Sequence, residues 1–491
     1  MTRPLAALIP PLLWAWSAGA GAVPTYSKDV APILWKNCAG CHRPGEVGPF
    51  PLLSFKDAAK RADFLKEITA SRRMPPWKPE PGFGEFHDVR RLADTEVKLI
   101  ADWVDAGAPE GDPKDLPPTP KFPEGWQLGT PDLVLKMAEA FPVPADGRDL
   151  QRCFVIPIPG GSDRTVAAVE FRPGNRRVVH HAIFYLDSAG QARRKDAADP
   201  GPGYASFGGP GFLPTGSLGG WAPGALARPL PEGIGRYLKA GSDLILQIHY
   251  HPDGKPELDQ STLGVTFTKA PARSIVRGEP VRSRSLYIPA GESRHHVQAE
   301  GEPLAGGVRV IGVTPHMHNV GREMKAEAQT PDGRTIPLIW IKDWDFNWQG
   351  QYQYKEPVVL PEGSIVRVDA YYDNSAGNPR NPSDPPRLVR WGEQTTDEMC
   401  ILFLQIIPGS PEDARKLAAA RLKRLGGSAL ARLGGRGAGA GFAIPERFRD
   451  QLTPHDADKD GRISAKEIEA MPEPLKQRVQ QAIGARGPGG P

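Results

Sequence analysis

The chain has 11 histidines in 491 residues, and six of them fall in three short strings. "VVHHAIFYLD" carries His180 and His181, "LQIHYHP" carries His249 and His251, and "PHMH" carries His316 and His318. Imidazole binds zinc, copper, nickel and iron alike. On a strand, residues two apart share a face, so the second and third strings each present two rings to one ion. Adjacent residues point to opposite faces, so His180 and His181 serve one ion only where the strand is kinked or strongly twisted. A fourth string, "TTDEMC", puts Met399 at the head of an apolar run. A soft thioether beside two imidazoles selects copper over zinc, although spacing alone reads Met399 as core. "RHH" (His295, His296) reads as surface.

Two further motifs bind other groups. "CAGCH" places Cys38, Cys41 and His42 in the Cys-x-x-Cys-His pattern of covalent c-type haem, with two thioether bonds to the macrocycle and one imidazole on iron. "SRRMPPW" supplies Met74 as the sixth ligand, with His87 as its rival. A thioether there raises the haem potential. With "TYSKDVAPILWKNCAGCH" as a first helix, this segment resembles a small class I cytochrome c, which implies electron transfer. Near the other end, "DADKDGRISAKE" fits a calcium-binding EF-hand loop. Its ligands are Asp456, Asp458, Asp460, the Arg462 carbonyl, Ser464 and Glu467, with Gly461 at the turn.

The surrounding sequence indicates how these groups are carried. Residues 1–22 read as a secretory signal peptide: Arg3, an apolar run too short to span a bilayer, then small residues. No later run is long and apolar enough to cross a membrane, so the expected location is periplasmic or secreted. Residues 23–112 are helix-leaning and form the haem domain; 113–129 are a Pro-rich linker. From 130 to 408, short β-type runs broken by Gly and Pro predict two antiparallel sandwiches, 130–275 and 276–408. A basic helix and Gly-rich tether (409–444) lead to the EF-hand module (445–484). The charge is nearly balanced, 61 basic against 57 acidic side chains, which gives no reason to expect nucleic acid as a partner. Cys153 and Cys400 are left over, a possible disulfide in an oxidising compartment.

In their order, "VVHHAIFYLD", "LQIHYHP", "PHMH" and "TTDEMC" resemble the copper type II, ascorbate-dependent monooxygenases over roughly residues 130–408. The resemblance implies two β-sandwich subdomains, each holding one copper, facing each other across a solvent-filled cleft. It assigns His180, His181 and His249 to the first copper, with His251 a non-ligand, and His316, His318 and Met399 to the second, where O2 reacts. Its peptide-hydroxylating members anchor a substrate carboxylate at positions that here are Thr314, Ile401 and Phe403. Loss of these polar anchors argues against a peptide C-terminus and for a more apolar substrate. The expected cofactors are haem c, two coppers and calcium; the expected partners are O2, an organic substrate and a periplasmic electron donor. A non-catalytic haem and copper electron carrier and a peroxide-forming oxygen reductase are the rival readings. "DWDFNWQGQYQY" (343–354) and "GFLPTGSLGGWAPG" (211–224) read equally as cleft lining or as sandwich turns and strands.

Overall fold

The computed structural model describes residues 23–123, 125–283 and 285–434, with 442–443, 452–457, 462–463, 467–468, 470–473 and 475–476 beyond them. The signal-peptide reading of residues 1–22 lies outside the described residues. Among the described residues no helix is long and apolar enough to cross a membrane.

Residues 23–112 form short helices, Ala31–Asn37, Phe55–Ala59, Ala62–Ala70 and Asp94–Asp105. They close on a core of Tyr26, Leu34, Leu52, Leu65, Ile100 and Trp103. The helix-leaning run 57–73 is divided by a turn at Lys60–Arg61. Ser54 caps the first piece in a reciprocal capping box with Asp57. The Pro- and Gly-rich stretch after Met74 cannot continue a helix. It runs extended along the edge of the second sandwich instead. The Glu80 amide donates to Trp340 O (2.7 Å), that of His87 to Gln353 O (2.9 Å), and that of Lys355 to Glu85 O (2.8 Å). Phe83 packs on Trp340, Phe86 stacks on Tyr354, and Trp77 meets Tyr352 edge-on at 5.5 Å. Aromatic pairs of this kind add about 0.5–1.5 kcal/mol each beyond burial.

The first β body has two five-stranded sheets. One runs Leu133–Lys136, Thr262–Phe267, Arg164–Arg172, Ile234–Leu238 and Ser274–Ile275 in spatial order. The other runs Tyr204–Ala205, Leu150–Pro157, Asp243–Tyr250, Val179–Asp187 and Gly216–Trp221. Leu135, Phe171, Phe154, Phe184 and Leu246 from both sheets share one core. Every residue of Asp243–Tyr250 is buried. Its outer face is covered by the excursion after Val179–Asp187, where Ile245 packs with Ala192 and Tyr204, and so "DLILQIHY" lacks the alternation of a half-exposed strand.

The second body has two four-stranded antiparallel sheets. One is ordered Arg277–Ser283, Cys400–Pro408, Val308–His316, Tyr352–Leu360, and the other His295–Glu300, Ile365–Tyr372, Gly321–Gln329, Thr335–Ile341. The Tyr372 hydroxyl donates to Met399 O (2.8 Å), tying the second sheet to the residue that opens Cys400–Pro408. Cys153 and Cys400 do not pair. Cys153 is buried against Tyr204 and Ile245 in the first body and Cys400 is buried in the second, so each thiol packs inside its own sandwich and the possible disulfide is absent.

The described residues within 304–307 and 408–476 belong to a second unit, separate from the first. Its helix Pro411–Gly434 is capped by Ser410 Oγ, which accepts from the Asp413 amide, while Asp413 Oδ1 accepts from the Gly307 amide. In the segment that reads as a calcium-binding loop, Glu467 Oε1 accepts from the Ala457 amide (2.7 Å). Arg462–Ile463 pairs antiparallel with Phe442–Ala443. Asp458, Asp460, Gly461 and Ser464 lie outside the described residues.

Candidate metal centre

The adjacent pair His180–His181 is served by a β-bulge. Along Val179–Asp187 the register shifts between Val179, opposite Tyr250, and His181, opposite His249. An extra residue in one strand bends it and re-aims its side chains. The two rings therefore turn to one side, with Nδ1 of His180 3.1 Å from Nδ1 of His181. Nδ1 of His249 is 3.4 Å from that of His181. The ligand atoms of the three residues all lie within 4.8 Å of one another. Bonds of about 2.0 Å from imidazole to a metal put ligand nitrogens about 3.3–3.5 Å apart in tetrahedral or trigonal geometry. The triad fits a single transition-metal ion.

Asp149, which carries no sequence signal, orients the triad. Its Oδ2 accepts from Nε2 of His249 (2.9 Å) and its Oδ1 from Nδ1 of His251 (2.8 Å). The proton on Nε2 leaves the Nδ1 lone pair of His249 free to bind a metal, a carboxylate–histidine arrangement that fixes tautomer and ring angle. Burial pushes the Asp149 carboxyl up, but the hydrogen bonds from His249 and His251 outweigh it and hold the group well below the usual carboxylate range. His251 is an Asp149 partner rather than a fourth member. An Asp149→Asn variant offers one oxygen to two ring N–H donors. It is expected to lose about 10–100-fold in metal affinity at this triad, measured by Cu(I) competition with a chromophoric chelator.

His316 ends the strand Val308–His316, and His318 follows it; their rings lie 5.2 Å apart, centroid to centroid. Nδ1 of His316 donates to Gln349 Oε1 (2.5 Å), and the Gln349 amide nitrogen donates to Phe346 O (3.1 Å), which fixes the amide's orientation. Nδ1 of His318 donates to Asp397 O (3.1 Å). Both rings thus keep Nε2 for a ligand role, whereas the first triad converges through Nδ1. Met399 is buried and next in chain to Glu398, the residue that ties this corner together. Glu398 Oε1 accepts from the amides of His318 and Met399, and Oε2 from that of Val320 (3.2 Å). Burial pushes the Glu398 carboxyl up to about 8, against the pull of these amides.

Burial lowers the pKa of His180 to about 3, of His316 to about 4 and of His318 to about 3, and takes His181 well below its ordinary value. Nearby imidazoles add to this, and the lowering reaches across the two sets: His249 acts on His316 and His318, and His316 acts on His180 and His181. All four rings are neutral at pH 7, the form that ligates metals.

One aromatic side chain touches both sets. Phe346 stacks on His180 at 4.7 Å, with its ring 20° from parallel, and meets His318 edge-on at 5.7 Å. The aromatic string 343–354, undecided between cleft lining and core, therefore supplies both Phe346 and Gln349 to this centre. Trp348 and Tyr352 of the same string line a cleft with Cys41, Trp77 and Trp221. Thr314 is half-buried, Ile401 is buried and Phe403 is exposed. His296 is exposed, donates to Asp369 and stacks on Tyr371, away from both sets.

At the Cys-x-x-Cys-His turn, the amides of Cys41 and His42 both donate to Cys38 O. Nδ1 of His42 donates to Phe50 O (3.0 Å), leaving Nε2 free for iron. The chain passes so close at Gly48 that a Cβ there would stand 2.8 Å from Nδ1 of His42. These features fit an axial imidazole held at a fixed angle. Met74 is half-buried beyond the helix Ala62–Ala70, its amide donating to Ile68 O.

Residues 283–414 match the C-terminal domain family of copper type II ascorbate-dependent monooxygenases. A relative, MOXD1 homolog 1 of Drosophila melanogaster, is 25% identical over 177 residues, covering 33% of this chain and 24% of the relative. The chain thus spans about a quarter of that relative's length. Among solved structures, the major capsid protein P2 of bacteriophage PM2 aligns at 7% identity with a TM-score of 0.22, covering 56% of this chain and 97% of that one. PNGF-II aligns at 8% identity with a TM-score of 0.21, covering 56% and 65%. The family match places the second imidazole pair, His316 and His318, inside a segment similar to the copper type II ascorbate-dependent monooxygenases.

Proposed function

We propose that this protein is an exported haem–dicopper monooxygenase that hydroxylates a C–H bond of an organic substrate. The observation that carries this reading is the gathering of five imidazoles in two sets, one of them inside the matched segment. The copper ions supply one-electron storage at the first set and O2 activation at the second, where a soft thioether favours Cu(I). The chain's own groups do the positioning. Asp149, Gln349 and the Asp397 carbonyl fix ring tautomers. Glu398 registers the His318 turn against Met399. Phe346 excludes water between the sets, and Ile401 with Phe403 gives the substrate approach an apolar character. Cys38, Cys41, His42 and Met74 would hold a haem, which would supply electron transfer from a periplasmic donor in place of a soluble reductant alone. Asp456, Asp458, Asp460, Arg462, Ser464 and Glu467 hold calcium in the tail.

Stopped-flow mixing of the ferrous-haem protein with its copper sites oxidised tests the reading. Haem oxidation that needs bound copper, with O2-dependent product from candidate substrates, is the expected result. Copper-dependent haem oxidation with no product from any substrate would leave an electron carrier, and no copper dependence at all would end the relay.

A further inference from the structure

The cleft that opens at Cys41 has an unbalanced charge lining. It runs past Trp77 to Trp221 and Trp348 and is walled by five arginines and three carboxylates. Each carboxylate already has an arginine: Glu46 with Arg176 (3.2 Å), Asp88 with Arg228 (2.6 Å) and Glu170 with Arg172 (3.0 Å). Arg90 and Arg236 are left over. Among the described residues, Arg236 is held by a neutral group, its Nη2 donating to Gln405 Oε1 (2.8 Å). Nε of Arg90 is buried with no hydrogen-bond partner. Neither guanidinium has an ion pair among the described residues.

Removing a charge from water without a counter-charge is costly, and a planar guanidinium is best satisfied by a carboxylate that takes two of its N–H groups. Burial lowers the Arg236 pKa to about 10, and no neighbouring carboxylate offsets it. Arg90 lies within electrostatic reach of both the Cys41 thiol and the Tyr352 hydroxyl, which places it beside the haem-attachment turn. Arg236 reaches the cleft from the strand Ile234–Leu238 of the first sandwich, beside the backbone of Gly219.

We propose that Arg90 and Arg236 form a carboxylate site that receives the two propionates of the haem joined to Cys38 and Cys41. This rests on the haem reading above. A c-type haem brings two carboxylates on a covalently fixed frame, and the cleft has two uncompensated cations. One arginine belongs to the helical N-terminal segment and the other to the first sandwich. The two arginines would thereby hold the haem from two different parts of the chain.

The test uses the full-length holoprotein in carboxylate-free buffer. Haem midpoint potentials are measured by spectroelectrochemistry for wild type, Arg90→Gln, Arg236→Gln, the double variant and Arg236→Lys. Copper content and far-UV circular dichroism control for folding. An unpaired propionate stabilises ferric iron, so each Gln variant is expected to lower the potential. The double variant should lower it furthest, and Lys should restore most of the loss. An unchanged potential in the folded double variant overturns the proposal. So does a wild-type potential that moves on adding succinate while that of Arg236→Gln does not, since the site then takes free dicarboxylates. A wild-type protein lacking covalent haem, read from its pyridine haemochrome spectrum, defeats the haem reading itself and is distinguishable from both.

Discussion

Protein carrying His318→Ala is expected to lose half of its bound copper and all O2-dependent product formation, while keeping its haem spectrum and the copper at His180, His181 and His249. The asymmetry follows from the geometry. The first triad is held by the bulge in Val179–Asp187 and by Asp149, neither of which uses His318. The proposed second set has two imidazoles, so removing one would leave a single ring with the Met399 thioether. Metal stoichiometry and the Cu(II) electron paramagnetic resonance spectrum check this without a known substrate. Loss of both coppers would show that the sets fold as one unit, and full retention of copper would remove His318 from the ligand set.

Replacing Glu398 by alanine is expected to be the most destabilising single change in the second body. Glu398 is fully buried, and its two oxygens accept from the amides of His318, Val320 and Met399. Truncation leaves three buried N–H donors without partners, each costing about 1–3 kcal/mol where water cannot replace the acceptor. Partial hydration of the cavity lowers the sum, so a loss of about 3–5 kcal/mol is expected. It should appear as a lower denaturant midpoint and a lower Tm. Glu398→Gln keeps one acceptor oxygen but turns an NH2 toward amide donors, and should fall between the two. A Glu398→Ala protein as stable as wild type would mean that these amides find other partners.

The readable part of the centre was the residue types that bind metals. Histidine and cysteine strings stand out because those side chains are rare and their spacing is local, as in "CAGCH" and "PHMH". The β character of 130–408 was readable for the same reason, since alternation and turn residues act over a few positions. The residues that orient the rings left no mark. Asp149 is 100 positions from His249 and Glu398 is 80 from His318, and a lone acid in a β-rich stretch looks like any surface carboxylate. Phe346 was left open between cleft lining and core, because an aromatic beside two sets of imidazoles and one between two sheets share the same pattern.

The chain alone therefore determined which atoms are available to bind metal, because ligand chemistry belongs to side chains. Tertiary structure decided which nitrogen of each ring is free, what fills the space between the two sets, and which arginines lack a counter-charge. Hydrogen bonding, packing and charge balance are relations between residues far apart in sequence, and only folding brings them within a few ångströms.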